Sequence, residues 1–209
     1  NININIKKIE LSDKKTYKLF SKGHTDGVFQ FESSGMKKYL KKLKPNAFND
    51  LIAMVALYRP GPMDFIDKFI NRKHGKENIS YDHPLTKNAL KETYGVTVYQ
   101  EQVMQISKDM ADFTGAEAGT LRKAISKKKE NLMKEMAKKF KDGAAQKGVS
   151  KAVIDKIWNN WQKFANYAFN KSHAACYAYV AYQTAYLKAH YPVEFMATLL
   201  SLEKEPTKI

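Results

Sequence analysis

Cysteine is almost missing from this chain: its 209 residues hold one, Cys176. A single thiol excludes an intrachain disulfide framework and any zinc site built on paired cysteines. Set in an Ala- and Tyr-rich stretch, Cys176 reads as a small core residue rather than a nucleophile. Acidic residues are scarce, 21 against 36 Lys and Arg, and the formal net charge is +15. Long apolar runs are missing too. None approaches the ~20 residues that a membrane span needs, so no membrane is expected among the partners. The opening, Asn1-Ile2-Asn3-Ile4-Asn5-Ile6, lacks the charge–apolar–small order of a signal peptide. A cytoplasmic, reducing setting is expected. The chain also begins without Met, and we expect it to be a piece of something longer.

The usual catalytic signatures are absent as well. There is no Gly-x-x-x-x-Gly-Lys-Ser/Thr loop, no dinucleotide fingerprint and no His-Glu-x-x-His. Two-metal phosphoryl transfer needs clustered carboxylates, and no Asp-x-Asp stands at a plausible strand end. Asp64 and Asp67 fall three apart on a helix and are expected to face solvent. His24-Thr25-Asp26 reads as a turn. No nucleophile triad finds support, so neither catalytic residues nor metal ligands are expected in this chain.

What is present is a chain 44% hydrophobic, enough for one or two packed domains. The patterning predicts a mainly α fold of many helices, with one or two short strands near the N-terminus. Alternation makes residues 1–9 a strand or extended arm. Residues 28–31 and 94–99 are further short extended candidates. Helices are expected over 13–20, 35–43, 48–58, 64–72 and 100–112. Further helices follow from a capping box at Thr114 to near 128, then over 130–146, 150–165, 172–190 and 193–202. Ser150 is the expected cap of the 150–165 helix.

The charge is concentrated. Between residues 122 and 151, Arg122 and ten lysines face only Glu130, Glu135 and Asp142, a surplus of +8. Ordinary exposed helices mix signs to form i,i+4 pairs, so this stretch is read as a phosphate-facing surface. Arginine is rare: Arg59, Arg72 and Arg122 are the whole set. In so lysine-biased a chain, a retained Arg points to a need for its planar fork. Arg122 beside Lys123 can spread around one phosphate chain. Arg59, ahead of Pro60-Gly61-Pro62, is read as holding loop carbonyls, and Arg72 as a solvated helix end. A second cluster runs from Tyr167 to His173. Asn170 or Ser172 can cap the next helix, whose free N–H groups favour an anion, and Lys171 and His173 add donors.

These residues resemble a known family. Gly27-Val28-Phe29-Gln30-Phe31-Glu32-Ser33, Ala56-Leu57-Tyr58-Arg59-Pro60-Gly61-Pro62 and Asn71-Arg72-Lys73-His74-Gly75 are similar to signatures of the bacterial DNA polymerase III alpha-subunit family, the C-family replicative polymerases. Tyr99-Gln100-Glu101-Gln102-Val103-Met104, Leu121-Arg122-Lys123-Ala124, Phe169-Asn170-Lys171-Ser172-His173 and Leu187-Lys188-Ala189-His190-Tyr191-Pro192 continue the likeness in order. The match covers about residues 10–203.

The resemblance implies a helical fingers domain over 26–203, in two lobes of about 26–112 and 113–203. A palm-edge or entry segment would cover 1–25 and a tail 204–209. It implies that Arg122, Lys123, Tyr167, Asn170, Lys171, Ser172 and His173 lie toward the triphosphate of an incoming dNTP. Lys127, Lys128, Lys129, Lys134 and Lys138 would follow template–primer DNA. Mg2+ would belong to the parent polymerase, on palm carboxylates outside this chain. Other replicase subunits would be partners through that parent. Two positions depart from the family: Lys123 stands where a second Arg is usual, and Ala168 where Gly is usual. Two other readings remain beside this one. One is a stand-alone basic helical nucleic-acid-binding protein without catalytic activity. The other is a helical scaffold whose lysines serve solubility. The stand-alone reading lacks a clear helix-turn-helix, and its aromatics gather in a Tyr/Ala helix instead of a stacking face.

Overall fold

The computed structural model describes residues 4–127, 129–165 and 168–204. Among these lie eleven α-helices: α1 Lys14–Lys22, α2 Ser34–Leu43, α3 Phe48–Leu57, α4 Ile66–Lys73, α5 Lys87–Leu90, α6 Gln100–Ala111, α7 Gly115–Ser126, α8 Glu130–Gln146, α9 Lys151–Phe164, α10 Lys171–His190 and α11 Pro192–Leu202. The mainly α expectation holds.

Local chemistry sets the helix ends. Asp13 Oδ1 accepts the Thr16 N–H at 2.7 Å to open α1, and Gly23 closes it with φ 68°. Thr114 and Glu117 form the expected capping box: Glu117 Oε2 accepts the Thr114 N–H at 2.8 Å, and Thr114 Oγ1 accepts the Glu117 N–H at 3.3 Å. Pro192 occupies the first turn of α11, where its missing N–H costs nothing. Ser150 stands at the N-cap of α9, but its side chain makes no cap bond.

The strand expectations fail among the described residues. Residues 28–31 coil into turns. Val28 N–H donates to the Thr25 carbonyl and Phe31 N–H to the Val28 carbonyl, both at 3.0 Å, and Gln30 takes φ 64°. Val28 and Phe31 are both buried by this curl, so i,i+3 spacing wins over alternation. Near the N-terminus, Ile6–Lys8 is a 3-10 turn, opened when Asn5 Oδ1 accepts the Lys7 N–H at 3.1 Å. Residues 96–98 are irregular, and Tyr99 makes an isolated parallel bridge with Phe169.

The chain divides into two compact units, Asn1–Val55 with Ala174–Ile209, and Ala56–His173. In the first, Phe20 meets Phe31 edge-on at 5.3 Å and Tyr17 lies 5.5 Å from Tyr182. The Tyr182 hydroxyl accepts the Asp13 N–H at 2.9 Å and donates to the Glu10 carbonyl at 2.9 Å. In the second, α6, α7, α8 and α9 share one apolar core. Phe140 is its centre, with Phe113 at 6.4 Å, Trp158 at 5.8 Å and Trp161 at 4.6 Å. Each such side chain contributes roughly 1.5–3 kcal/mol when buried. Gly143 lets α8 approach α6 closely: a Cβ there would stand 2.6 Å from the Ala111 carbonyl oxygen.

Candidate nucleic-acid interface

Both clusters singled out from the sequence fall in the second unit. The geometry starts at the head of α6. The buried Gln102 side chain folds back, and its Oε1 accepts N–H bonds from Val98 at 2.7 Å and Tyr99 at 2.9 Å. Its Nε2 donates to Thr93 Oγ1 at 2.7 Å and to the Ala89 carbonyl at 3.2 Å. This fixes the chain where Gln100 N–H donates to the Phe169 carbonyl at 2.9 Å. The head of α6 is thereby tied to the segment before α10.

Glu101 then meets that segment. Its Oε1 accepts from Asn170 Nδ2 at 2.7 Å, and its Oε2 accepts from the Lys171 N–H at 2.9 Å. Asn170 Oδ1 accepts the His173 N–H at 2.8 Å, so Asn170, not Ser172, caps α10. The Lys171 ammonium pairs with Glu92 at 2.6 Å and lies 5.6 Å above the Tyr99 ring. The His173 ring stands edge-on to Phe169 at 5.4 Å. Arg59 lies over the same Phe169 ring at 4.2 Å, and its Nε donates to the Ala56 carbonyl at 2.8 Å, a carbonyl-holding role as expected. Burial pushes the Arg59 pKa down from its ordinary value. Ser172 is exposed. Tyr167 and Lys128 lie outside the described residues.

The basic stretch is built differently. Arg122 is partly buried on α7 and Lys123 is exposed. Lys127 and Lys129 lie between α7 and α8, and Lys134 and Lys138 one turn apart on α8, all exposed. Among the described residues none of these six makes an ion pair, whereas four other lysines of the stretch do. Lys139 pairs with Glu117, Lys141 with Asp155 at 2.7 Å, Lys147 with Asp112 at 2.6 Å and Lys151 with Asp155 at 2.7 Å. The Lys139 bond, with help from the Thr114 N–H, holds the Glu117 carboxyl down at about 2. The bonds from Lys141 and Lys151 hold Asp155 down at about 2. Acids outside the stretch thus answer lysines inside it, so the excess left facing outward is concentrated on 122–138. Among the described residues, no hydrogen bond, ion pair or ring contact joins Arg122 or Lys123 to the Asn170–Lys171–His173 group.

Two sequence readings are corrected. Arg72 is not solvated but 5% exposed. Its Nε donates to Glu77 Oε1 at 2.8 Å, Nη1 to the Tyr94 carbonyl at 3.0 Å and Nη2 to Ser80 Oγ at 3.0 Å. It ties the 74–84 loop to α4. A cavity of about 450 Å³ opens beside it, but its fork is already committed to the fold. Cys176 is exposed, not core, because the Ala residues and Tyr182 take the inner face of α10. Sequence reasoning missed Glu92 and Glu101 as site residues. Glu101 lies 69 residues from Asn170, so no local spacing pairs them; the one signal was its place as the acid in Tyr99-Gln100-Glu101-Gln102.

Comparison with known proteins gives this geometry a family. Residues 1–148 match the model of the bacterial DNA polymerase III alpha subunit finger domain. The chain is 53% identical over 209 residues to the DNA polymerase III subunit alpha of Aquifex aeolicus, covering 99% of this chain and 18% of that protein. It is 51% identical over 195 residues to that of Chlamydia trachomatis, covering 93% and 16%, and 50% identical over 207 residues to that of Halalkalibacterium halodurans, covering 99% and 18%. It therefore spans less than a fifth of the length of these relatives. No helix among the described residues is long and apolar enough to cross a membrane. With the matching model covering most of its length, the chain belongs to the finger-domain family of the bacterial DNA polymerase III alpha subunit.

Proposed function

We propose that this chain serves as the fingers of a DNA-directed DNA polymerase, a nucleotidyltransferase of chromosomal replication acting in the cytoplasm. In this reading Arg122 and Lys123, with Tyr167 and the Asn170–His173 segment, face the triphosphate of the incoming dNTP. Lys127, Lys128, Lys129, Lys134 and Lys138 follow the backbone of the template–primer. Other replicase subunits are reached through the parent chain. The observation that carries the reading is the set of six cations on 122–138 that no described carboxylate answers, whereas Lys139, Lys141, Lys147 and Lys151 further along the same stretch are paired. Unanswered cations keep their full attraction for phosphate oxygens and release counterions on binding.

The described residues do not fit a Mg2+ site: no three or more His, Cys, Asp or Glu side chains gather among them. We assign the metal of the parent enzyme to ligands outside this chain. What this chain supplies is position and charge. Arg122 offers a planar fork to two phosphate oxygens, and Lys123 a point charge where a second fork is usual.

The test is steady-state dNTP incorporation by the intact polymerase carrying Arg122→Ala or Lys138→Ala. A charge-assisted contact to phosphate is worth about 1.5–3 kcal/mol, so Arg122→Ala should lower kcat/KM roughly ten- to a hundredfold. Lys138→Ala should cost several-fold at most. Unchanged dNTP kinetics in Arg122→Ala, with unchanged melting, would move the triphosphate away from α7.

A further inference from the structure

Resting on the reading of the Asn170–His173 segment as part of the nucleotide site, we propose that Glu101 is a positioning residue that presets this segment, and that Glu92 is the partner from which Lys171 leaves for the incoming phosphate.

The two glutamates hold the same lysine in different ways. Glu101 is partly buried in the first turn of α6, whose head is fixed by the buried Gln102. Both its oxygens are engaged by the segment, one by a backbone N–H and one by the Asn170 amide. That second bond decides which way the Asn170 amide faces. With Nδ2 on Glu101, Oδ1 is left for the His173 N–H, and the cap of α10 is formed. Loss of the carboxylate frees the amide to turn and the first turn of α10 to fray. Glu101 never touches the Lys171 ammonium through these bonds, so it leaves that charge available.

Glu92 does the reverse. It sits on the 3-10 turn Lys91–Thr93, and it meets Lys171 only at the ammonium. Its side chain is 45% exposed and that of Lys171 36% exposed. An exposed single pair of this kind is weak and screened. A phosphate chain carries more charge than one carboxylate and can displace it. The geometry thus separates a preset backbone, owed to Glu101, from a released charge, owed to Glu92.

Opposite signs test this. In the full-length polymerase carrying this chain, single-nucleotide primer extension is measured for Glu101→Gln, Glu92→Gln, Lys171→Ala and the pair Glu101→Gln/Lys171→Ala. Glu101→Gln should lower kcat/KM for dNTP about tenfold, the cost of one lost charged hydrogen bond. Glu92→Gln should lower the dNTP KM, by about two- to fivefold. In the double variant the Glu101→Gln loss should shrink to under about threefold, because both changes act on one element. A loss that persists in full there makes Glu101 merely structural and overturns its role. A rise in KM for Glu92→Gln overturns the release of Lys171. If Glu101→Gln does not fold, Asn170→Ala breaks the same pair from the other side, and the same non-additivity with Lys171→Ala is required. If Lys171→Ala alone leaves dNTP kinetics unchanged, the nucleotide-site reading fails first, and the role of Glu101 falls with it.

Discussion

At residues 170–173 the fold answers its donors: Asn170 and the Lys171 N–H are held by Glu101, the Lys171 ammonium by Glu92, and the His173 N–H by Asn170. From Arg122 to Lys138, the described cations stand without a carboxylate, although the lysines just beyond them are paired. Both regions are basic in sequence, yet they are different devices. The first is organised before any ligand arrives, so it favours geometry and can discriminate. The second is a field, cheap to keep in water and sensitive to salt. A count of lysines cannot tell them apart, because the deciding groups are acids far away in the chain.

The hardest way to break the comparison is to remove the platform under the unanswered cations. Trp161 is 2% exposed and packs at a tilt against Phe140 of α8, ring centroids 4.6 Å apart. Trp161→Ala should destabilise the protein by about 3–5 kcal/mol, read by urea or thermal unfolding. A loss below about 1 kcal/mol would mean that this aromatic core does not support α8.

The helices were largely legible because their signals are local. The capping box at Thr114, Pro192 after His190 and the apolar spacing of α6 and α9 all lie within a few residues of the ends they set. The strands were misread where a short apolar run had two solutions. Phe29 and Phe31 fit an extended alternation and Val28 and Phe31 a curl, and the Thr25 hydroxyl bond to the Phe31 carbonyl at 2.6 Å goes with the curl. The same limit hid the role of Arg72. Its partners Ser80 and Tyr94 are 8 and 22 residues away, and nothing local marks them. Of the candidate site, the cationic members were visible from composition. The glutamates that order Asn170 and Lys171 were not, since these partners are 69 to 79 residues distant.

Arg72 gives the next prediction, since its planar fork is committed to the fold. Arg72→Ala removes the bonds to Glu77, the Tyr94 carbonyl and the Ser80 hydroxyl and should cost about 2–3 kcal/mol. Lys68→Ala, an exposed position on the same helix, should stay within about 0.5 kcal/mol. Equal melting of the two variants would return Arg72 to solvent.

Salt sharpens the contrast without touching the fold. In the intact polymerase, neutralising Lys127, Lys134 or Lys138 to Gln should each reduce the slope of log affinity for primer–template against log salt by up to about 0.9. Lys141→Gln and Lys147→Gln, already paired, should leave the slope almost unchanged. Identical slopes for the two groups would make the unanswered lysines a solvated face only.

The smallest effect is expected from acid, and it bears on the boundary between the paired and unpaired lysines. Glu117 and Asp155 both titrate at about 2, held down by hydrogen bonds from Lys139 and from Lys141 and Lys151. An unfolded carboxylate titrates near 4. A lowered folded value means that these pairs stabilise the protein fully above about pH 4 and lose that contribution as pH falls through about 2. Because all the groups face water, the contribution is small. Wild type should therefore lose melting temperature more steeply between about pH 4 and pH 2 than Glu117→Gln/Asp155→Asn, whose curve should be flatter there and lie slightly below wild type above about pH 4. At neutral pH the double variant also frees Lys139, Lys141 and Lys151, extending the unanswered field along α8 toward α9. In the intact polymerase it should bind primer–template slightly tighter at low salt, and the gain should vanish at high salt. Parallel melting curves together with unchanged affinity would show that these pairs neither stabilise the unit nor bound the basic surface.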